Sequence, residues 1–205
     1  MSKSIICFII TVFGSVYGQL EFFSRAGSAF AGVEMANYTL LAEYGDGLEL
    51  RLYPARNVVC TTYRAFQVPS RDMFMKLFRY IDGDNEKSAK VDMTAPVSTK
   101  VSPTSGGDLR SYEMCFYLPE AIQMDAPKPR NLDVYIKNRP EMKIYTRKVG
   151  GYMRSDPVWD QEASDLQAIL DSKGFDVDKT FCYRNGYDAP FKFWNRRNEV
   201  WYLKI

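Results

Sequence analysis

The sequence contains no histidine. That absence excludes the commonest hydrolytic machinery, since neither a Ser-His or Cys-His nucleophile pair, an HExxH zinc helix nor an imidazole general base can be assembled without it. A P-loop is also missing, and Gly45-Asp46-Gly47 lacks the third glycine of a dinucleotide-binding turn. Neither sign of charge is in excess: 27 basic side chains stand against 25 acidic ones over 205 residues, for a formal charge of +2. Such a balance carries none of the basic excess that marks nucleic-acid binding. Cysteine is scarce as well. Cys7, Cys60, Cys115 and Cys182 are far apart, so this is not the dense disulfide framework of a small secreted module.

What is present is an apolar fraction of 46%, typical of one domain with a buried core. The first residues read as a secretory signal peptide: Lys3, the apolar stretch from Ile5 to Phe13, then small residues at Val16 and Gly18. The stretch is too short to span a bilayer. Cleavage after Gly18 leaves Gln19 first; the other reading of this segment is a strand or helix of the domain. Asn37-Tyr38-Thr39 is an N-glycosylation sequon, in keeping with export. Loss of Cys7 with the signal leaves three cysteines, each in a strand-like apolar run. At most one pair can form among them, and the simpler reading is a buried free thiol at each.

Residues 1–18 are therefore assigned to the signal, 19–43 to an N-terminal extension and 44–205 to the domain. Leu48 to Tyr53 alternates in polarity, Pro54 to Asn57 turns, and Val58 to Tyr63 is rich in β-branched and aromatic residues, which predicts an antiparallel strand pair. After Ser70, apolar residues at Met73, Phe74, Leu77, Phe78 and Ile81 share one helical face, and Gly83 closes the helix. Further strands are expected at Met93–Val101 and Tyr112–Leu118. A second helix begins with Asp156 as its cap and Pro157 in its first turn, carries Trp159, Ala163, Leu166, Ile169 and Leu170 on one face, and ends at Gly174.

Glu49-Leu50-Arg51-Leu52-Tyr53 matches Glu141-Met142-Lys143-Ile144-Tyr145 in character, and each is followed by a helix and then an alanine-proline step, Ala95-Pro96 and Ala189-Pro190. This order predicts two βαββ-like repeats about a pseudo-twofold axis, with the prolines marking bends or edges of the sheet. The fold class is accordingly α+β, a distorted antiparallel barrel with two flanking helices, and its natural pocket lies between the first helix, the second-half proline strand and the sheet.

Val91-Asp92-Met93-Thr94-Ala95-Pro96-Val97 resembles the most recognisable motif of the SOUL/haem-binding-protein family. Tyr80 to Lys87, Gly150-Gly151-Tyr152, Gly186 to Pro190 and Asn195 to Trp201 resemble that family too, in the same order. The resemblance implies a barrel of eight to nine strands, similar to bacterial multidrug-sensing ligand domains, and haem or another tetrapyrrole as ligand. Carried over to this chain, the family's site falls on Arg71, Phe74, Leu77 and Phe78 of the first helix, with Arg79 as a second cation. Tyr187, Phe191 and Lys192 follow as the opposite wall. Such a set suits a macrocycle with apolar faces and two propionates, although an apolar helix stripe also packs on a sheet in the ordinary case.

Some relatives are proposed to ligate haem iron through histidine, which this chain cannot do. Tyr, Met or Cys would have to serve, or the site binds the macrocycle by its faces alone, which is the expectation here. The signal peptide departs from the mostly intracellular vertebrate members and points to extracellular carriage by a monomer, with a small hydrophobic ligand as partner, no nucleic acid and no stable membrane insertion. Other readings are the binding of another amphipathic small molecule, a signalling precursor, or a protein-interaction module built on Leu166–Gly174. A porphyrin-modifying enzyme is a further one, for which no acid-base pair is evident. The acidic run Asp82 to Glu86 reads as a helix-ending turn rather than a calcium loop, because position twelve is Met93.

Overall fold

The structure is a computed structural model that describes residues 33–104, 109–189 and 192–205. The expected signal peptide, residues 19–32 of the extension, the turn at 105–107, Pro190 and Phe191 lie outside the described residues. In chain order the elements are β1 (Glu34–Met35), β2 (Thr39–Glu43), β3 (Leu48–Tyr53), β4 (Arg56–Ala65), α1 (Ser70–Ile81), β5 (Thr94–Ala95), β6 (Val97–Pro103) and β7 (Arg110–Tyr117). After a short 3₁₀ turn at Glu120–Ile122 come β8 (Val134–Arg139), β9 (Met142–Val149), α2 (Asp156–Ser172), β10 (Cys182–Gly186) and β11 (Asn198–Leu203).

Nine of these strands form one antiparallel sheet in the order β2-β3-β9-β11-β10-β6-β7-β4-β8, while β1 and β5 pair in parallel beside it. The chain passes from the small pair to the large sheet at Pro96, where the Ala95-Pro96 peptide bond is cis. β2, assigned from sequence to the extension, hydrogen-bonds to β3 and so belongs to the sheet.

The alternation of β7 shows how the sheet is buried. Tyr112, Met114 and Phe116 join the large core under the helices, whereas Cys115 and Tyr117 face the other way into a smaller cluster. No helix of the described residues covers that second face, yet Arg51, Glu199, Trp201 and Cys60 on it have no solvent exposure. Curling of the sheet covers it. Arg139 on β8 lies with its Cζ 5.1 Å from the ring centre of Tyr183 on β10, although β4, β7 and β6 separate their strands. In a flat sheet those strands would stand ~19 Å apart, at about 4.8 Å per step. The result is an α+β half-barrel, in agreement with the expected fold class.

With β1, β2 and β5 set aside, each half has the order ββαββ where βαββ-like was expected. The matched segments Glu49–Tyr53 and Glu141–Tyr145 fall on β3 and β9, which are hydrogen-bonded neighbours and occupy different places in the two halves. The match therefore records a shared alternation of polar and apolar residues along paired strands. The connectivity has its own regularity: β3 of the first half pairs with β9 of the second, and β8 of the second half pairs with β4 of the first. Each half lends a strand to the other.

Helix α1 buries Met73, Leu77, Phe78, Tyr80 and Ile81, and α2 buries Ala163, Leu166 and Leu170, so both apolar faces lie on the sheet as their spacing predicts. Tyr80 escapes that pattern, and its hydroxyl donates to the Pro127 carbonyl at 2.8 Å. Gly83 and Gly174, just beyond the two helices, adopt φ of 114° and 68°, a region open to glycine at little cost. The acidic turn after α1 is held by buried Asn85, whose amide donates to the carbonyls of Tyr80 and Ala89.

Two sequence expectations are corrected. Cys60 and Cys115 face each other in the β4–β7 ladder and are joined by a disulfide, leaving Cys182 as the buried free thiol. The thiols of two residues directly opposed on adjacent strands are within bonding reach, a relation that a separation of 55 residues conceals in the sequence. Asp156 does not cap α2: Ser155 holds that position, and the Asp156 carboxylate turns inward.

Candidate functional site: a cleft where the helices meet

The two helices begin side by side. The backbone N–H of Val68, just before α1, donates to Asp156 Oδ2 at 2.9 Å, and Asp156 is the first residue of α2. Arg184 of β10 pairs with Asp156 and reaches Asp160 at 2.7 Å, while Arg110 of β7 holds Asp160 from the other side at 2.7 Å. Burial alone would raise the Asp156 carboxyl, but the Val68 N–H, Arg184 and the Tyr112 hydroxyl outweigh it and hold it below the ordinary carboxylate value. This chain of charges fixes the start of α2 to the centre of the sheet.

Between the helix starts opens a cleft of about 520 Å³, within the size range of small-molecule sites. Val68, Val97, Met114, Met153 and Trp159 give it apolar walls, and Arg154, Arg184 and Arg196 are its charged residues; no acidic or cysteine side chain among the described residues lines it. Tyr152 stands between two guanidinium groups, with Arg154 4.5 Å and Arg196 4.7 Å from its ring centre. Arg184 is neutralised by its two aspartates. Arg196 instead donates to the carbonyls of Ala189 at 2.7 Å and Lys192 at 2.9 Å, so its charge meets dipoles and a ring and, among the described residues, no carboxylate. The cleft is therefore apolar and net positive.

The residues proposed from sequence are distributed as follows. Leu77 and Phe78 lie in the core beneath α1. Phe74 is half-buried, stacked on Phe78 at 5.9 Å and against Phe116 at 5.3 Å. Phe116 pairs with Val97 of the cleft wall, which puts Phe74 one packing step from the cleft. Arg71 is exposed next to Ser70, a lining residue, whereas Arg79 is exposed in the last turn of α1. Lys192 binds Asp188 at 2.6 Å. Tyr187 points to the opposite face, where its hydroxyl donates to Glu199 at 2.6 Å.

Sequence reasoning missed Tyr152, Arg154, Trp159 and Arg196 as site residues. Tyr152 and Arg196 sit within two of the stretches that carry the family resemblance, and their clustering with aromatic residues was the available signal. The loops around the cleft also expose Phe66, Phe193 and Trp194 by 71%, 74% and 74%.

On the opposite face Glu199 of β11 gathers five donor groups. Its Oε2 accepts from Arg51 at 2.9 Å, Tyr187 at 2.6 Å and the Trp201 indole at 2.8 Å, and its Oε1 accepts from Arg197 Nε at 2.9 Å and Nη2 at 2.6 Å. Burial would raise this carboxyl, yet Arg51, Tyr187, Arg197 and Trp201 hold it below the ordinary range, while burial and Glu199 push the Tyr187 hydroxyl well up. Tyr187 and Arg197 are the two ends of the β10–β11 loop, so Glu199 ties down the loop that carries Lys192 and Arg196.

A curled antiparallel sheet, one helix in each half and an open cleft where the helices meet define an α+β half-barrel. The chain belongs to the SOUL heme-binding protein family, whose model matches residues 33–203. It is 36% identical to heme-binding protein 2 of Homo sapiens over 159 residues, 76% of this chain and 77% of that one. It is 33% identical to heme-binding protein 1 of Bos taurus over 135 residues, 65% and 70% of the two chains. In fold it is similar to the C-terminal domain of EcmrR, at a TM-score of 0.55 and 13% identity over 82% of this chain and 99% of that one. An uncharacterized conserved protein from Listeria innocua follows at a TM-score of 0.52 and 10% identity, over 88% and 97%.

Proposed function

We propose that this protein binds haem or a related tetrapyrrole in the cleft between the helix starts and carries it outside the cell, holding the macrocycle by its faces with no ligand to iron. The observation that carries this reading is the cleft itself: apolar walls, no lining carboxylate among the described residues, and Arg154 and Arg196 both against the Tyr152 ring without acidic partners among those residues. A flat apolar ring system with two propionates matches that combination, since aromatic and aliphatic walls take the faces and guanidinium groups take the carboxylates. The names of the heme-binding relatives support the same ligand. Arg71 and Phe74 extend the wall along α1, and Lys192 is available at the rim once Asp188 releases it.

Face binding is supported by the absence of imidazole and by the engaged Tyr152 hydroxyl, with Met114 and Met153 the lining side chains that a coordinating site would have to use. The chain has no histidine, and the Tyr152 hydroxyl donates to the Lys192 carbonyl at 3.2 Å. Carriage outside the cell rests on the signal-like N-terminus and on Asn37, exposed between β1 and β2 where an oligosaccharide can be attached. A second reading, the binding of another anionic amphipathic molecule, rests on the same acid-free lining. A protein-interaction role for Leu166–Gly174 has less support, because Leu166 and Leu170 are wholly buried on the sheet.

The test is titration of the secreted protein with haemin and with metal-free protoporphyrin, followed by the Soret band and tryptophan quenching, beside a Tyr152→Ala/Arg196→Ala variant. Saturable binding of both ligands, weakened in the variant, is expected. Binding of haemin alone would overturn face binding, and binding of neither would overturn the tetrapyrrole reading. N-terminal sequencing of the secreted chain tests export, with Gln19 expected first.

A further inference from the structure

Three loops meet at the mouth of the cleft, and hydrogen bonds tie them together. The Val68 N–H of the β4–α1 loop donates to Asp156 at the start of α2 at 2.9 Å, and the Tyr152 hydroxyl of the β9–α2 loop donates to the Lys192 carbonyl of the β10–β11 loop at 3.2 Å. Phe66, Phe193 and Trp194 stand two or three residues along the chain from the lining residues Val68 and Arg196. They are the most exposed aromatic side chains among the described residues. Val158, next to the lining Trp159, adds a further exposed apolar side chain at this end. A phenyl ring left in water forgoes the roughly 1.5–3 kcal/mol that its burial would contribute, and a group of such rings in one place marks a contact surface.

Charge at this end is one-sided. Arg71 and Arg154 are exposed and have no carboxylate partner among the described residues. Lys192 and Arg197 are neutralised by Asp188 and Glu199, which leaves Asp72 as the exposed carboxylate of these loops. Cations beside aromatic rings suit a phospholipid surface: headgroup phosphates attract the guanidinium groups, while indole and phenyl rings settle where the headgroups meet the acyl chains. A protein partner would need a continuous face. Here the rings stand on separate loops with exposed Gln67, Ser155 and Asn195 among them, and a fluid layer can close around each ring.

We propose that this end of the molecule docks reversibly on an anionic phospholipid membrane, with Phe66, Phe193 and Trp194 entering the headgroup layer and Arg71 and Arg154 close to the lipid phosphates. The contact is peripheral and made by loop side chains. Because the cleft opens between the same loops, an apolar ligand passes between bilayer and cleft without crossing water. That last step rests on the tetrapyrrole reading; the docking itself does not.

The experiment is co-sedimentation of the full chain, without ligand, with vesicles of phosphatidylcholine alone or mixed with phosphatidylserine, followed also by quenching from brominated acyl chains. Trp194 is exposed whereas Trp201 is buried and Trp159 half-buried, so quenching reads Trp194. Binding to the mixed vesicles, weakened by salt, is expected. Phe193→Ser/Trp194→Ser should weaken it about tenfold, and Phe66→Ser should weaken it as well. Trp194→Phe should keep the binding and lose most of the quenching. Met124→Ser is the control: this exposed apolar side chain follows Gln123, which Asn57 holds through two hydrogen bonds at the far end of β4 from Phe66, and its loss should change nothing. All four substituted side chains are exposed, so the variants should fold, and haemin titration in solution reads the cleft separately. No binding to the mixed vesicles, equal binding by all variants, or equal loss in Met124→Ser would overturn the proposal. Self-association abolished by the same variants, without vesicle binding, would overturn it in favour of a second copy of the chain.

Discussion

Arg51 of β3 and Glu199 of β11 form an ion pair of 2.9 Å across the intervening strand β9, with neither side chain exposed to solvent. Removing one member of such a pair leaves the other as an uncompensated buried charge, at a cost of about 3–5 kcal/mol. Glu199→Ala is expected to lose that much in urea denaturation. The same substitution frees Tyr187 and Arg197, the two ends of the β10–β11 loop, so affinity for haemin should fall as well. A loss under about 1 kcal/mol would show that the five donors around Glu199 find other acceptors.

Acid should destabilise the fold through Asp156 and Glu199. Both are held below their ordinary values, so their contribution is complete above the unfolded-state pKa values of about 3.9 and 4.3. It is lost as pH falls through the lower values of the folded state. Denaturation midpoints should be level between about pH 5 and 7 and drop below about pH 4. Asp156→Asn should be less stable at neutral pH and show a shallower acid limb, and an unchanged limb would assign the transition to other groups.

The disulfide between Cys60 and Cys115 closes a loop of 55 residues and clamps β4 to β7. Intact-mass measurement of the oxidised protein should show two hydrogens fewer than the reduced chain. Reduction, or Cys60→Ala with Cys115→Ala, should cost about 2–4 kcal/mol in the same urea assay. Equal stability of the two forms would mean that the ladder alone holds these strands.

If Arg154 and Arg196 meet propionates, the dimethyl ester of protoporphyrin should bind about a hundredfold more weakly than the free acid, the loss of two charge-assisted contacts. Arg154→Ala/Arg196→Ala should reduce binding of the free acid and leave the ester almost unaffected. A variant that weakens both ligands equally would point to lost packing around Tyr152.

The elements of the fold were legible because strands and helices announce themselves by local period. Met73, Leu77, Phe78 and Ile81 lie on the core as their spacing predicts, and Gly83 and Gly174 follow the helix ends where glycine is expected. What escaped was anything set by pairing between distant strands. The Cys60–Cys115 contact, the exchange of β3 and β8 between halves and the inward turn of Asp156 all depend on register that no local pattern records. The cleft was less legible for the same reason: none of the described residues carried over from the resemblance lines it, Arg71 following its lining Ser70 and Phe74 packing one step behind, while Tyr152 and Arg196 reach it from loops that only the folded sheet brings together.

The place of β11 in the sheet order bears on how this chain is made. Of the strands described, β11, ending at Leu203, is the last to leave the ribosome, and it inserts between β9 and β10 near the middle of the sheet. Until it emerges, β9 and β10 each present an unpaired edge, and such edges invite association between nascent chains. Completion of the sheet therefore waits on β11, and a message that stops short of Asn198 yields two unjoined sheet fragments in place of a shortened domain.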